Sequence, residues 1–139
     1  MDRTGRRWVP AVLRDAGEDD ADGYVVGVRE TTDDDSWSLL LMECYDPTDK
    51  QEISLGMDTY CLVVDPGQAT HYGGVRGCEV TDQHLRLLLT EGAATTLGMP
   101  ADVTFALALP AGQLPMLRRG LTRVLSSGRA DAVPQHLLA

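Results

Sequence analysis

The chain has 139 residues, 43% of them hydrophobic and 24% charged, and its formal net charge at pH 7 is −9. This composition is typical of a globular protein and excludes a disordered one. No apolar run approaches the ~18 residues that a membrane-spanning helix needs, and an acidic protein does not bind nucleic acid by neutralising phosphates.

We expect a single domain over residues 1–139, with a flexible N-terminus at 1–7 and an irregular tail at 129–139. The first residues are basic but lack the apolar segment of a secretory signal, so we expect the protein in the cytoplasm. The three cysteines are odd in number and lie in apolar stretches, which favours reduced, buried thiols over disulfides.

The first half of the chain predicts strands. Residues 8–14 and 24–28 alternate between apolar and polar side chains, as half-buried strands do, and the acidic residues 15–23 between them predict a loop. Residues 37–45 and 59–65 carry apolar side chains on both faces. This pattern is typical of strands that are buried on two sides, near the middle of a sheet.

The second half predicts a bend between strands. Gly73 and Gly74 would weaken a straight strand, so residues 70–80 predict a bent one with a bulge or a close backbone approach. Residues 84–90 and 102–109 alternate again and predict two further strands.

Two helices complete the predicted elements. Thr90 suits the N-cap of a short helix, and Gly98 suits its C-terminal cap. An amphipathic helix begins near Gln113 and ends by Gly128. Gly120 in its interior costs about 1 kcal/mol relative to alanine, which indicates close packing there.

The connections between these elements are short, which favours antiparallel pairing over parallel crossovers. The predicted fold class is therefore α+β. We expect an antiparallel β-sheet of about six to seven strands, with a short helix and a C-terminal amphipathic helix packed on it.

Cys61 and His71 are the pair whose residue types suit a nucleophile and its base. Cys61 falls in the middle of a predicted strand and not at a helix N-terminus, which favours a structural thiol. The sequence contains no zinc spacing, P-loop, nucleophile elbow or dinucleotide fingerprint. Residues 18–23 loosely match a calcium loop, but Arg29 takes the place of the required glutamate. We expect no cofactor and no metal.

Negative charge is concentrated in residues 15–58, which hold 14 acidic and 2 basic side chains. One explanation is a solvated acidic edge that aids solubility, and the other is a docking surface for a basic protein.

Four segments in a fixed order carry a resemblance: "LGMDTYCLVV", "ATHYGGVRGCEV", "HLRLLLTEGAATTLGM" and "GLTRVLSSGRADAVPQHL". Together they resemble the immunity protein 10 family of bacterial polymorphic toxin systems, over roughly residues 23–138 and best from residue 55 onwards. The resemblance implies a non-enzymatic protein that binds a cognate toxin domain and blocks it. The motif positions that carry over, with structural or functional roles, are Asp58, Tyr60, His71, Tyr72, Gly73 and Gly74.

We expect the partner to be a cognate toxin that is basic in charge, a nuclease being one such class. The candidate partner-binding residues combine the acidic run with the motif side chains, and they are Asp33, Asp34, Asp35, Asp58, Tyr60, His71 and Tyr72. Two alternatives stay open at this point: a small Cys/His-dependent enzyme, and an acidic protein-binding module of another kind.

Overall fold

The computed structural model describes residues 10–20, 23–33, 35–43, 60–65, 68–126 and 136–138. Its strands are β1 (Val12–Leu13), β2 (Asp15–Asp19), β3 (Val25–Arg29), β4 (Ser38–Met42), β5 (Cys61–Asp65), β6 (Ala69–Tyr72), β7 (Val75–Val80), β8 (His84–Leu89), β9 (Asp102–Leu107) and β10 (His136–Leu138). Its helices are α1 (Glu91–Leu97) and α2 (Gln113–Leu125). Neither helix is long and apolar enough to span a membrane within the described ranges.

The strands form two five-stranded sheets. Sheet I has the order β1-β9-β8-β7-β10, and sheet II has the order β2-β3-β4-β5-β6. Sheet II is antiparallel throughout, and each of its strands pairs with the next one in the chain. The predicted α+β class with a short and a C-terminal helix is confirmed, but the strands are divided between two sheets where we expected one.

Both edges of sheet I are parallel pairs, β1 with β9 and β10 with β7. Reasoning from short turns misses such pairs, because their strands come from distant parts of the chain. Strand β10 lies within residues 129–139, which were expected to be irregular. Strand β2 lies within residues 15–23, which were expected to be a loop. An acidic segment can form this strand because β2 is at the edge of its sheet, where charged side chains stay in solvent.

One apolar core is shared by both sheets and both helices. The alternate residues of β3, β4 and β5 that point into this core define the inner face of sheet II. Across the core from them, the Phe105 ring of sheet I lies 5.5 Å from the Trp37 ring, measured between centroids. The largest fully buried side chains include Tyr60, Phe105, Leu39, Leu41, Leu62, Leu85, Leu87 and Leu121.

Helix α1 begins and ends as its sequence predicts. The Thr90 side chain accepts a hydrogen bond from the Ala93 amide, and Gly98 adopts a left-handed conformation with a φ of 69°. The Met99 amide then donates to the Ala94 carbonyl, which satisfies a carbonyl at the helix end.

Helix α2 packs closely on the inner face of sheet II at Gly120. A Cβ atom on Gly120 would lie 2.5 Å from the Tyr24 hydroxyl and 2.6 Å from a Val26 methyl. One turn further on, the Arg123 guanidinium lies 4.1 Å from the centre of the Tyr24 ring, and its Nε donates to Glu43 at 2.7 Å. The close packing indicated by the sequence at Gly120 is confirmed.

Two glycine-to-alanine substitutions in the helices are expected to have opposite effects. Gly120→Ala inserts a methyl group against the stiff, buried Val26, and we expect a loss of about 1–2 kcal/mol in unfolding free energy. Gly92→Ala in α1 has no atom within 4 Å of the new methyl group. It should raise the unfolding free energy by about 0.5–1 kcal/mol. Chemical denaturation of both variants measures this, and stabilisation by Gly120→Ala would contradict the packing of α2.

Candidate functional site

The Gly73–Gly74 step is the corner at which the chain leaves sheet II for sheet I. Both glycines have positive φ, 70° and 99°, which side chains rarely adopt. A Cβ on Gly74 would also lie 2.6 Å from the Ala93 Cβ of α1. The Thr90 amide donates to the Gly74 carbonyl at 2.8 Å, so the corner is fixed to the start of α1.

Tyr60 holds this corner from inside the core. Its side chain is fully buried, and its hydroxyl accepts a hydrogen bond from the Val75 amide at 3.1 Å. Its carbonyl accepts from the Gly73 amide at 2.8 Å. Burial is the main cause that raises the pKa of the Tyr60 hydroxyl. Tyr60, which we expected among the partner-binding residues, therefore has no surface to offer a partner and serves the fold.

His71 and Tyr72 point to opposite sides of strand β6. His71 pairs with the inward Leu62, is half-buried, and its Nδ1 lies 3.1 Å from the Gly73 carbonyl oxygen. Tyr72 pairs with Cys61 on the other side of the sheet and is 38% exposed. Of these two motif side chains, Tyr72 is the more exposed.

The same pairing separates the candidate nucleophile from its base. Cys61 points to the outer face of sheet II, whereas His71 points to the inner face. Burial raises the pKa of the Cys61 thiol, which disfavours the reactive thiolate. No group of three or more metal-ligating side chains occurs in the part of the chain that the structure describes.

The acidic run lies at the turn between β3 and β4. Asp33 and Asp35 are exposed there, whereas Asp34 and Asp58 fall outside the described residues. The Asp33 amide donates to the Thr31 hydroxyl at 3.1 Å, and the Asp33 carbonyl accepts from the Ser36 amide at 3.1 Å. These bonds use the backbone and leave the Asp33 carboxylate directed to solvent.

Other acidic side chains of residues 15–58 stabilise the fold. Asp15 accepts from the Arg29 guanidinium, with Nε at 2.9 Å, and Glu43 accepts two bonds from Arg123. Glu18 accepts from the Tyr24 hydroxyl at 2.7 Å. Burial and this carboxylate raise the pKa of Tyr24 to about 12. In the predicted acidic region, some carboxylates therefore form hydrogen bonds within the protein, and others are exposed to solvent.

The outer face of sheet II carries an apolar row that the sequence reading missed. Val25, Met42, Cys61 and Tyr72 stand opposite one another on four neighbouring strands. Met42 is 37% exposed and Tyr72 is 38% exposed. Strands β4 and β5 were expected to be buried on both faces, but both described helices pack on the inner side, and the outward residues Leu40, Met42, Cys61 and Val63 are half-buried or exposed. The two-sided pattern was itself the signal for this row.

The described residues thus form an α+β domain whose second sheet carries a partly exposed apolar row on its outer face. The family model for Immunity protein 10 matches residues 11–115, and the chain belongs to this family. The match begins closer to the N-terminus than the sequence motifs suggested, and it ends within α2. No curated protein and no solved structure matches the chain.

The structural role of Tyr60 predicts the effect of removing its hydroxyl. In Tyr60→Phe the buried Val75 amide loses its acceptor, and a buried unsatisfied amide costs about 1–3 kcal/mol. We expect the unfolding free energy to fall by that amount in denaturant titrations. Tyr72→Phe, which removes a hydroxyl from a side chain that is 38% exposed, is the matched control and should lower the unfolding free energy by a smaller amount. Equal effects of the two substitutions would contradict the role given to Tyr60.

The two described cysteines are free thiols, and their reactivity should follow their burial. Burial raises the pKa of Cys78 to about 12, so Cys78 should react with a maleimide at pH 7.5 only after unfolding. Cys61 is half-buried, and its pKa is also raised, so it should react more slowly than a free thiol. Peptide mass spectrometry after timed labelling measures both rates. Labelling of native Cys61 faster than free cysteine would instead favour an activated thiol.

Proposed function

We propose that this protein is an immunity protein that binds a cognate bacterial toxin domain in the cytoplasm and neutralises it as a stoichiometric, non-catalytic inhibitor. The observation that carries this proposal is membership of the Immunity protein 10 family. The toxin is basic in charge, a nuclease being one such class, because sheet II carries exposed acidic side chains, with Asp33 and Asp35 at the β3–β4 turn and Asp19 next to Val25 at the end of the apolar row.

The geometry supports inhibition by binding over catalysis. The nearest approach to a catalytic pair in the sequence, Cys61 and His71, is divided between two faces of one sheet. Among the described residues, the exposed apolar row on the outer face of sheet II is a surface of the kind that protein partners recognise.

A titration against the toxin domain encoded beside this gene tests the proposal. Co-expression should rescue cells from that domain, and calorimetry should give one immunity protein per toxin domain. Toxin activity should fall linearly with added protein and reach zero at one equivalent. Neutralisation by far less than one equivalent would indicate a catalytic antidote, and a failure to bind would refute the proposal.

The acidic turn should steer the encounter with a basic toxin. An immunity protein must capture its toxin before damage occurs, and opposed charges speed encounter in a salt-dependent way. Replacing Asp33, Asp34 and Asp35 together by asparagine should lower the association rate roughly 3- to 10-fold at low salt. The dissociation rate should change little, because exposed rim charges contribute little once the complex has formed. Stopped-flow mixing at several salt concentrations measures this.

A matched variant removes the same charge from the other sheet, with Glu79→Gln, Asp82→Asn and Asp102→Asn. These residues are exposed on sheet I and its β7–β8 turn, so we expect a smaller decrease in the association rate. Equal decreases in the association rate for the two triple variants would mean that the rate depends on the net charge of the protein and not on where the charge lies. An unchanged rate for the triple variant at β3–β4 would show that this turn is only a solvated edge.

A further inference from the structure

The outer faces of the two sheets differ in a way that the fold does not require. On sheet I the outward positions are mainly polar, with Arg86 standing between Glu79 and Thr104. Arg86 also forms an exposed ion pair with Asp102. This is the polar outer face that an antiparallel sheet normally shows to water. On the outer face of sheet II, by contrast, an apolar row crosses the ends of β3, β4, β5 and β6, so the chain keeps apolar surface where solubility favours polar side chains.

The apolar row has the size of a protein-contact anchor. Neighbouring strands lie about 4.8 Å apart, so the row from Val25 to Tyr72 spans roughly 14 Å. Met42 and Tyr72 are the two large hydrophobic side chains that are exposed among the described residues. Tyrosine and methionine are enriched in the centres of protein interfaces. Cys61 stands between them and is half-buried.

Beside this row lies an open groove of about 500 Å³. Gly17 and Gly27 stand opposite each other in β2 and β3. The Leu40 side chain lies over Gly27, where a Cβ would be 2.5 Å from its Cδ2, so the side chain that is missing from the surface is the one at Gly17. A Cβ on Gly17 would meet no atom within 4 Å, which shows that the space is open. The groove is lined by Asp15, Gly17, Glu18, Asp19, Val25, Gly27, Arg29 and Leu40.

The charge of the groove favours a cationic side chain of the partner. Its lining holds three carboxylates and one guanidinium, so negative charge is in excess there, although Asp15 also binds Arg29 and Glu18 also accepts from Tyr24. The aliphatic stem of a lysine or arginine can lie against Val25 and Leu40 while the excess negative charge of the lining attracts its cationic head. A second copy of this chain is disfavoured there, because two proteins of net charge −9 would bring like charges together.

We propose that the outer face of sheet II is the toxin-binding surface, with an apolar toxin side chain on the row of Met42, Cys61 and Tyr72 and a toxin lysine or arginine in the groove beside Gly17. This inference rests on the proposed function. To that function the inference adds the face that binds, the two contact points and the chemistry of the toxin side chains that bind there.

Substitutions at the two contact points test the proposal, with the toxin domain of the neighbouring gene as the probe. Met42→Ala and Tyr72→Ala should each raise the Kd roughly 30-fold, as for central interface residues. Tyr72→Asp should also weaken binding, although its charge has the sign that attracts a basic partner. Gly17→Val fills the groove without a clash and should raise the Kd roughly tenfold or more.

Thr104→Asp places the same charge on the outer face of sheet I and should leave the Kd unchanged. Thermal unfolding of each variant should stay near that of the parent. If the parent binds and the four sheet II variants bind equally well, this surface is refuted while the proposed function stands. If these four variants are less stable than the parent but bind with unchanged affinity, the row contributes to the protein's own packing. That result also refutes the proposed surface. If the parent itself does not bind, both proposals fall.

Discussion

The hydrogen bond from the Val75 amide to the buried Tyr60 hydroxyl is the contact on which the arrangement of the two sheets depends. It joins the residue that precedes β5 of sheet II to the first residue of β7 in sheet I. Between them the chain turns through Gly73 and Gly74, whose backbone angles exclude most other residues. A buried amide without this acceptor would be costly, so the bond fixes where one sheet ends and the other begins.

The corner also decides which motif side chains can contact a partner. Because the last residues of β6 lead directly into it, His71 is directed inward against Gly73, and Tyr72 is directed outward into the row with Cys61 and Met42. In this stretch rich in cysteine, histidine and tyrosine, some side chains thus point into the core and others point to the outer face. The histidine and the cysteine that suggested an enzyme are separated by the sheet itself.

Local signals in the sequence predicted the local structure well. The cap residues Thr90 and Gly98 define α1, and Gly120 marks the close packing of α2, because each effect acts within a few residues. The division into two sheets and the parallel edge strands depend on contacts between distant segments, which periodicity does not encode. The apolar row was visible as a two-sided pattern in β4 and β5, but the pattern alone does not distinguish a face covered by the protein's own core from one left for a partner.

Methyl NMR of methionine tests the central claim most directly. The chain has five methionines, of which Met42 lies 37% exposed on the outer face of sheet II and Met99 is 6% exposed in the core. In a titration of ¹³C-methyl-methionine protein with the toxin domain, the Met42 methyl resonance, assigned with Met42→Leu, should shift and saturate at one equivalent while that of Met99 stays in place. Saturable binding by calorimetry with an unmoved Met42 resonance would contradict the account.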